Sequence, residues 1–411
     1  MIWTHSHLGR WICLNLNIEI SSSCNLNCLY CPRRNAFGLE QFMPLGVLER
    51  VVRAVEPERV VLIGLGEPTL HPRFREVLEV LRDSQVVLQT NGTFPERVRM
   101  AVEVHPDLEV ALSLDLPPSV AGRFRIGLEP GRIEETMRIM SRRRSSISAL
   151  MMRSSMEALP ELLSLAASYD IESLDLSGMV PITEELDEER VFTFLSRRLF
   201  EYLEGRSELV EIAYRAARIV LDSWGPVDSN ELRVYEAGVR EMEAQGLTPN
   251  FALYEMEAHR AREALRREKY LRILEEEASS LGIRLKRTSL FAQEARRCPY
   301  AETETGAVSA TGELSPCYDL LHDHTYYLFG HEKRIKAVRF GPAWERASME
   351  SYQAYREKLL EFDRNFAPCH TCPFAARGAC FFVPDNGVDC EGASPTCSEC
   401  PFALDLVSCS L

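Results

Sequence analysis

The sequence predicts an α/β fold in three parts: a partial (βα)6 barrel, a helical insertion, and a small Cys-rich C-terminal domain. Three observations predict it. Strand-like and helix-like patterns alternate six times up to residue 176, an order that implies a parallel sheet with right-handed crossovers. Charged amphipathic runs then replace that alternation until about residue 280. Finally, the 13 Cys are partitioned along the 411-residue chain. One stands at 13, three lie at 24–31, nine lie between 298 and 409, and the stretch between holds none.

The elements follow in order. Residues 11–20 (WICLNLNIEI) alternate apolar and polar with period two, a half-buried strand. A helix is expected over 43–54, a buried strand over 59–65 ending at Gly66, and a helix over 74–82. Strands at 85–90 and 108–114 follow, the first stopped by Asn91-Gly92. A helix over 133–143, a strand over 145–152, a helix over 156–169 and a strand over 171–176 complete the arc. Six units fall short of the closed eight-stranded barrel, and ligands of such sheets sit at the carboxyl ends of the strands. Residues 185–202 and 254–280 read as helices, with breaks at Trp224-Gly-Pro and Gly246-Leu-Thr-Pro. This insertion is expected to be a solvated helical spacer or a cap over the barrel. The parts are placed at 1–182, 183–282 and 283–411.

Composition excludes several function classes. Hydrophobic residues at 45% and charged residues at 26% suit a globular protein with a substantial core. A formal net charge of −14 argues against a nucleic-acid binder, whose phosphate contacts need a basic face. No apolar stretch approaches the ~20 residues that span a bilayer. The N-terminus MIWTHSH lacks the basic-then-apolar order of a signal peptide, so no membrane association and a cytoplasmic location are expected. Cys in a chain without a secretory signal are metal ligands before they are disulfides.

The most informative segment is Cys24-Asn-Leu-Asn-Cys28-Leu-Tyr-Cys31. Three thiolates at C-x3-C-x2-C bind three irons of a cubane and leave a fourth open, whereas a zinc site needs a further N or S donor. His5, His7 and Cys13 are the nearby choices for that donor, and none sits at a familiar zinc spacing. With Tyr30 before the last Cys, the loop resembles that of the radical S-adenosylmethionine (SAM) superfamily. The resemblance implies a partial barrel of that type and a [4Fe–4S] cluster on Cys24, Cys28 and Cys31 whose open iron takes SAM. It further implies reductive cleavage of SAM to a 5′-deoxyadenosyl radical, fed by an external ferredoxin- or flavodoxin-type electron donor.

Strand ends supply candidate SAM contacts. Gly66 permits close backbone approach and Glu67 offers a carboxylate to an ammonium group. Together with Pro68 they resemble the superfamily's glycine-glutamate-proline motif; alone they read as a strand-to-helix turn with a capping acid. Asn91, in Gln89-Thr90-Asn91-Gly92, is similar to the superfamily's next strand end. Tyr30, Ser113, Asp115 and Arg153 complete the candidate set, Arg153 as a bidentate partner for the methionine carboxylate.

The C-terminal region carries a second chemistry. Cys298-x13-Gly312-x4-Cys317, with a hairpin expected over 307–314, resembles the opening of the SPASM auxiliary-cluster domain. A knuckle repeat follows: Cys369-x2-Cys372-Pro-Phe-Ala and Cys397-x2-Cys400-Pro-Phe-Ala. Two cubanes need eight thiolates, and Cys298, Cys317, Cys369, Cys372, Cys380, Cys390, Cys397, Cys400 and Cys409 offer nine, with Cys380 the candidate spare. Spacings of x7 and x9 around Cys380 depart from the C-x2-C-x5-C-x3-C of that domain, and paired knuckles also build zinc ribbons. Asp319, two residues after Cys317, is a candidate proton acceptor because some relatives use an acid near that Cys; its other reading is a turn or helix cap. The tail from Asp389 to Cys409 is similar to the ending of radical SAM/SPASM maturases of tungsten-pterin oxidoreductases. A radical SAM enzyme modifying a peptide or protein is therefore expected. A small-molecule decarboxylase or oxidase of haem or cofactor synthesis, an iron–sulfur electron carrier and a zinc-binding interaction protein are the alternatives.

Overall fold

The computed structural model describes residues 15–36, 41–222, 229–247, 249, 251–295, 297–365 and 400–408. One nine-stranded sheet organises them: β1 (Asn15–Ile18), β2 (Arg59–Leu62), β3 (Gln85–Thr90), β4 (Glu109–Ser113), β5 (Ser145–Met151), β6 (Ser173–Gly178), β7 (Arg284–Arg287), β8 (Thr305–Val308) and β9 (Leu314–Ser315). Its order is β7-β6-β5-β4-β3-β2-β1-β8-β9. β1 to β6 lie side by side in chain order and parallel, in register Asn15↔Arg59, Arg59↔Gln85, Val87↔Glu109, Val110↔Ser145 and Ser146↔Ser173. This is the expected (βα)6 arc, with its helices as crossovers.

Alternation along each strand decides which face meets the helices. Leu16, Ile18, Val60, Leu62, Val86, Leu88, Val110, Leu112, Ile147, Leu174 and Leu176 are buried in the main core. The crossover helices present Leu48, Val51, Val98, Ile133, Met137, Leu162 and Leu163 to it. Each fully buried side chain of this size contributes about 1.5–3 kcal/mol. The opposite face holds a small separate cluster of Val61, Val87 and Ala111 with Ile63. Farther along that parity stand Glu19, Gln89, Ser113 and Ser177, so polar residues line the carboxyl end of the arc.

Two strands that flank the arc are not legible as such in the sequence. β7, of sequence RLKR, pairs parallel with β6, and β8 pairs parallel with β1. The region beyond residue 282 thus extends the barrel sheet at both edges. β9 folds back antiparallel on β8, the hairpin expected over 307–314. A second hairpin, β10 (His324–Leu328) and β11 (His331–Ile335), was not anticipated. Its turn places both Phe329 (φ 57°) and Gly330 (φ 77°) in the left-handed region, a conformation that Asn-Gly signals and Phe-Gly does not.

The insertion contains helices Glu184–Asp187, Arg197–Glu204, Ser207–Asp222, Asn230–Ala244 and Phe251–Ser280. It is packed against the barrel, correcting the expected solvated spacer. Leu199, Phe200, Leu203, Leu271 and Leu274 join the main core, and Arg190 and Glu257 form a buried ion pair of 2.7 Å with side chains 1% and 2% exposed. Among the described residues no helix is long and apolar enough to cross a membrane.

Candidate functional site

The Cys24–Cys31 loop leaves the carboxyl end of β1 and is bound on both sides by backbone. Glu67 N donates to Ser23 O (2.8 Å), Asn27 N to Ile126 O (3.0 Å) and Leu29 N to Phe124 O (2.9 Å). Gly66 is what permits the first contact. A Cβ there would lie 2.4 Å from Ser21 O and 2.5 Å from Ser23 O, inside the backbone that leads to Cys24. Cys28 is buried, and Cys24 and Cys31 are partly so.

The donor set suits an iron–sulfur cluster. Burial raises the thiol pKa of all three Cys, that of Cys28 to about 12; neighbouring Cys and acids raise Cys24 and Cys28 further, while Arg33, Arg34 and Arg125 pull Cys31 back down. Cys24 and Cys31 repel as thiolates, as do Cys24 and Cys28, so the three sulfurs lie within electrostatic reach of one another. Sulfurs so placed are held as thiols until a cation offsets the desolvation, which is what metal ligation does. Two donors already face the Cys24 sulfur: Leu26 N at 3.4 Å and Asn91 Nδ2 at 3.8 Å. Such hydrogen bonds tune a bound cluster.

The other expected contacts surround this loop, engaged in ways the sequence does not reveal. Glu67 is 2% exposed; its Oε1 accepts from Thr69 N (3.1 Å), Thr69 Oγ1 (2.6 Å) and Thr90 Oγ1 (2.6 Å), and its Oε2 from Asn91 N (2.7 Å). It therefore clamps the end of β2 to the end of β3. Asn91 Nδ2 also donates to Asn25 Oδ1 (3.0 Å), joining β3 to the Cys loop. Ser113 Oγ accepts from Gln89 Nε2 at 2.6 Å. Tyr30 OH donates to Asp115 Oδ2, and Asp115 is further held by Arg125 at 2.8 and 3.2 Å and by Leu150 N at 2.9 Å. Burial opposes the charge on Arg125, but Asp115, Tyr30 and Cys28 together outweigh it and keep the guanidinium charged. Arg153 follows β5 with its side chain 57% exposed and Nη1 4.0 Å from Glu188; the structure does not bring it to the Cys loop.

A second cluster of sulfurs lies in the C-terminal region. Cys298, Cys317 and Cys400 line one cavity of about 80 Å³ with Asp319, Tyr326 and Lys333. Burial pushes Cys317 well above the ordinary thiol range, and Asp319, Cys298 and Cys400 add to the shift. Asp319 accepts from Tyr326 OH and lies 3.5 Å from His324 Nε2. Cys369, Cys372, Cys380, Cys390, Cys397 and Cys409 lie outside the described residues.

Sequence reasoning missed Arg125, Glu19 and His322. Glu19 Oε1 accepts from Leu65 N at 2.9 Å, and its Oε2 lies 2.7 Å from His322 Nε2. The segment that begins at His322 then crosses the end of the barrel. Asn35 Nδ2, just past the Cys loop, donates to Thr325 Oγ1 (3.1 Å), and Tyr327 N donates to Pro181 O (2.8 Å) beyond β6. Glu19 had a signal: it is a lone carboxylate at the inward parity of an otherwise uncharged strand. His322 and Arg125 had none.

Residues 18–166 match the model of the radical SAM superfamily. Over 96% of its length the chain is 22% identical to the tungsten-containing aldehyde ferredoxin oxidoreductase cofactor-modifying protein of Pyrococcus furiosus, covering 97% of that protein. It is 38% identical over 84 residues to a probable GTP 3′,8-cyclase of Pyrococcus horikoshii, 19% of this chain and 27% of that one. Among solved structures it is similar to Streptococcus suis SuiB bound to S-adenosylmethionine, with 15% identity and a TM-score of 0.47 over 89% of this chain and 72% of that one. The match places the Cys24–Cys31 loop inside a radical SAM superfamily domain that spans residues 18–166 of this chain.

Proposed function

We propose that the protein is a maturation enzyme for a tungsten-containing oxidoreductase, acting on that polypeptide or on the cofactor it carries. The observation that carries this reading is the end-to-end likeness to the Pyrococcus furiosus protein, whose name describes it as modifying the cofactor of such an oxidoreductase and which matches this chain over 96% of its length. Cys24, Cys28 and Cys31 would hold the cluster that binds SAM, and Tyr30, Gly66, Glu67, Asn91, Ser113 and Asp115 belong to the loop and strand ends around it. Cluster and SAM together supply one-electron cleavage of SAM and hydrogen-atom abstraction. The protein's own residues position and exclude water. Glu67 and Asn91 fix the β2 and β3 ends against the loop, Arg125 fixes Asp115 and Tyr30, and the His322–Tyr327 segment covers part of the mouth.

Cys298, Cys317 and Cys400 would hold an auxiliary cluster, with the remaining C-terminal Cys completing it and a second one. Asp319, beside Cys317, would accept a proton from substrate. Anaerobic reconstitution tests the metal content: three cubanes require about twelve iron per chain, by four per cluster. The maturation reading is tested by incubating the reduced protein and SAM with the immature tungsten oxidoreductase. A defined mass change in that polypeptide or its extracted cofactor is expected. Uncoupled 5′-deoxyadenosine with no change in either would point instead to a different small-molecule substrate.

A further inference from the structure

Two stretches of chain meet at the outer edge of the Cys loop, and neither contains an acidic residue: 20–36 and 116–128. They are joined by the Asn27 N–Ile126 O and Leu29 N–Phe124 O hydrogen bonds, which flank Cys28 on either side. In a chain with 61 Asp and Glu against 47 Lys and Arg, this juxtaposition makes a local cationic surface. Arg34 is exposed; its Nη1 donates to Asn27 Oδ1 (3.0 Å) and it has no carboxylate partner among the described residues. Arg123 is likewise exposed, with its guanidinium 5.3 Å from the Phe124 ring centroid and no described ion pair. The 116–128 stretch also exposes Val120 (51%) and Ile126 (45%). At its rim Glu129 is offset by Arg132 at 3.4 Å.

We propose that this face, made by Arg34, Arg123, Val120 and Ile126, docks an acidic one-electron carrier protein. Three arguments choose that occupant. Arg with exposed aliphatic side chains is the composition of a protein interface, and unpaired cations steer an anionic partner. The net charge of −14 repels the same partner from the rest of the molecule, which concentrates encounters here. The surface also lies beside Cys28, since Ile126 O accepts from Asn27 N and Phe124 O from Leu29 N, the two residues that flank that Cys. The proposal rests on the reading that Cys24, Cys28 and Cys31 hold a reducible cluster. In the transfer one electron leaves the carrier's reduced [4Fe–4S] centre and enters that cluster, and no proton moves.

The test uses the reconstituted full chain, SAM and a low-potential acidic [4Fe–4S] ferredoxin, with dithionite as the chemical reductant for comparison. In Arg34→Glu/Arg123→Glu, ferredoxin-driven 5′-deoxyadenosine formation is expected to fall about tenfold or more at low salt, while the dithionite-driven rate stays within about twofold. Direct binding of the ferredoxin should weaken in the variant, and wild-type binding should weaken as salt rises. Val120→Ser/Ile126→Ser should weaken binding with little change in salt dependence. Equal losses with both reductants, or undiminished ferredoxin binding, would overturn the proposal. So would a wild-type dimer that the charge reversal dissociates, since the face would then be an interface between copies. Failure of dithionite to support cleavage in the wild type would instead remove the cluster reading, and the binding measurement would still decide the docking surface.

Discussion

His322 Nε2 lies 2.7 Å from Glu19 Oε2, a bond between residues 303 apart that fastens the C-terminal region to the end of β1. The Glu19 side chain is fully buried, so among the described residues its carboxylate depends on His322 and the Leu65 amide. His322→Ala should cost about 1–3 kcal/mol, the penalty for stranding a buried acceptor. Glu19→Gln keeps both contacts, because an amide accepts from Leu65 and donates to a neutral imidazole, and should cost less than half as much. Thermal unfolding of the two variants checks the order; equal losses would show that the bond itself contributes nothing.

Gly66→Ala is expected to abolish cluster incorporation without unfolding the barrel. The new methyl would meet Ser21 O, Ser22 C and Ser23 O, all backbone atoms that cannot rotate away. Iron content per chain after reconstitution is the measurement. Gly46→Ala is the control: it lies in the helix Leu45–Val55 with nothing within 4 Å, and should keep its iron and gain about 0.5–1 kcal/mol.

Arg125→Met should be among the most damaging single changes near the loop. It leaves Asp115, 2% exposed, without its bidentate partner and beside the Tyr30 hydroxyl. Breaking a buried pair in this way costs about 3–5 kcal/mol. Asp115→Asn/Arg125→Met, which removes the stranded charge, should recover part of the loss in chemical denaturation; a double variant no better than the single would exclude this account.

The insertion gives a pH prediction. Burial pushes the Glu257 carboxyl up, but Arg190 and the Phe194 amide outweigh it and hold it below its ordinary 4.5. A depressed folded pKa means stability fully present above about pH 4.5 and lost as pH falls through the folded value. Wild-type stability should therefore decline progressively below pH 4.5. Glu257→Gln should be less stable at pH 7, by about 3–5 kcal/mol, and flatter across the acid range. An unchanged acid slope in the variant would assign the decline to other groups.

Much of the fold could be read before any coordinate was known. The strands from β1 to β6 announce themselves by apolar runs or alternation, most of them bounded by Gly, Asn or Pro, and their five pairings follow from their parallel succession. β7 could not be read because RLKR, on an edge strand, has no buried face to impose a pattern. The insertion reads as solvated because its charges look like a surface. Arg190 and Glu257 are 67 residues apart, and their pairing, with Asp187 and Arg260 beside them, allows burial.

The sequence by itself determined the cysteine trio, the glycine that must pass beside it and the order of the strands, because each depends on spacing along a few residues of chain. Tertiary structure alone decided what those residues touch. Asp115 is claimed by Tyr30 and Arg125, Glu67 by Thr69, Thr90 and Asn91, and Cys298, Cys317 and Cys400 share one cavity. Such partnerships join segments whose separation in sequence carries no periodic signal, and they arise only when packing of the sheet brings the strand ends together.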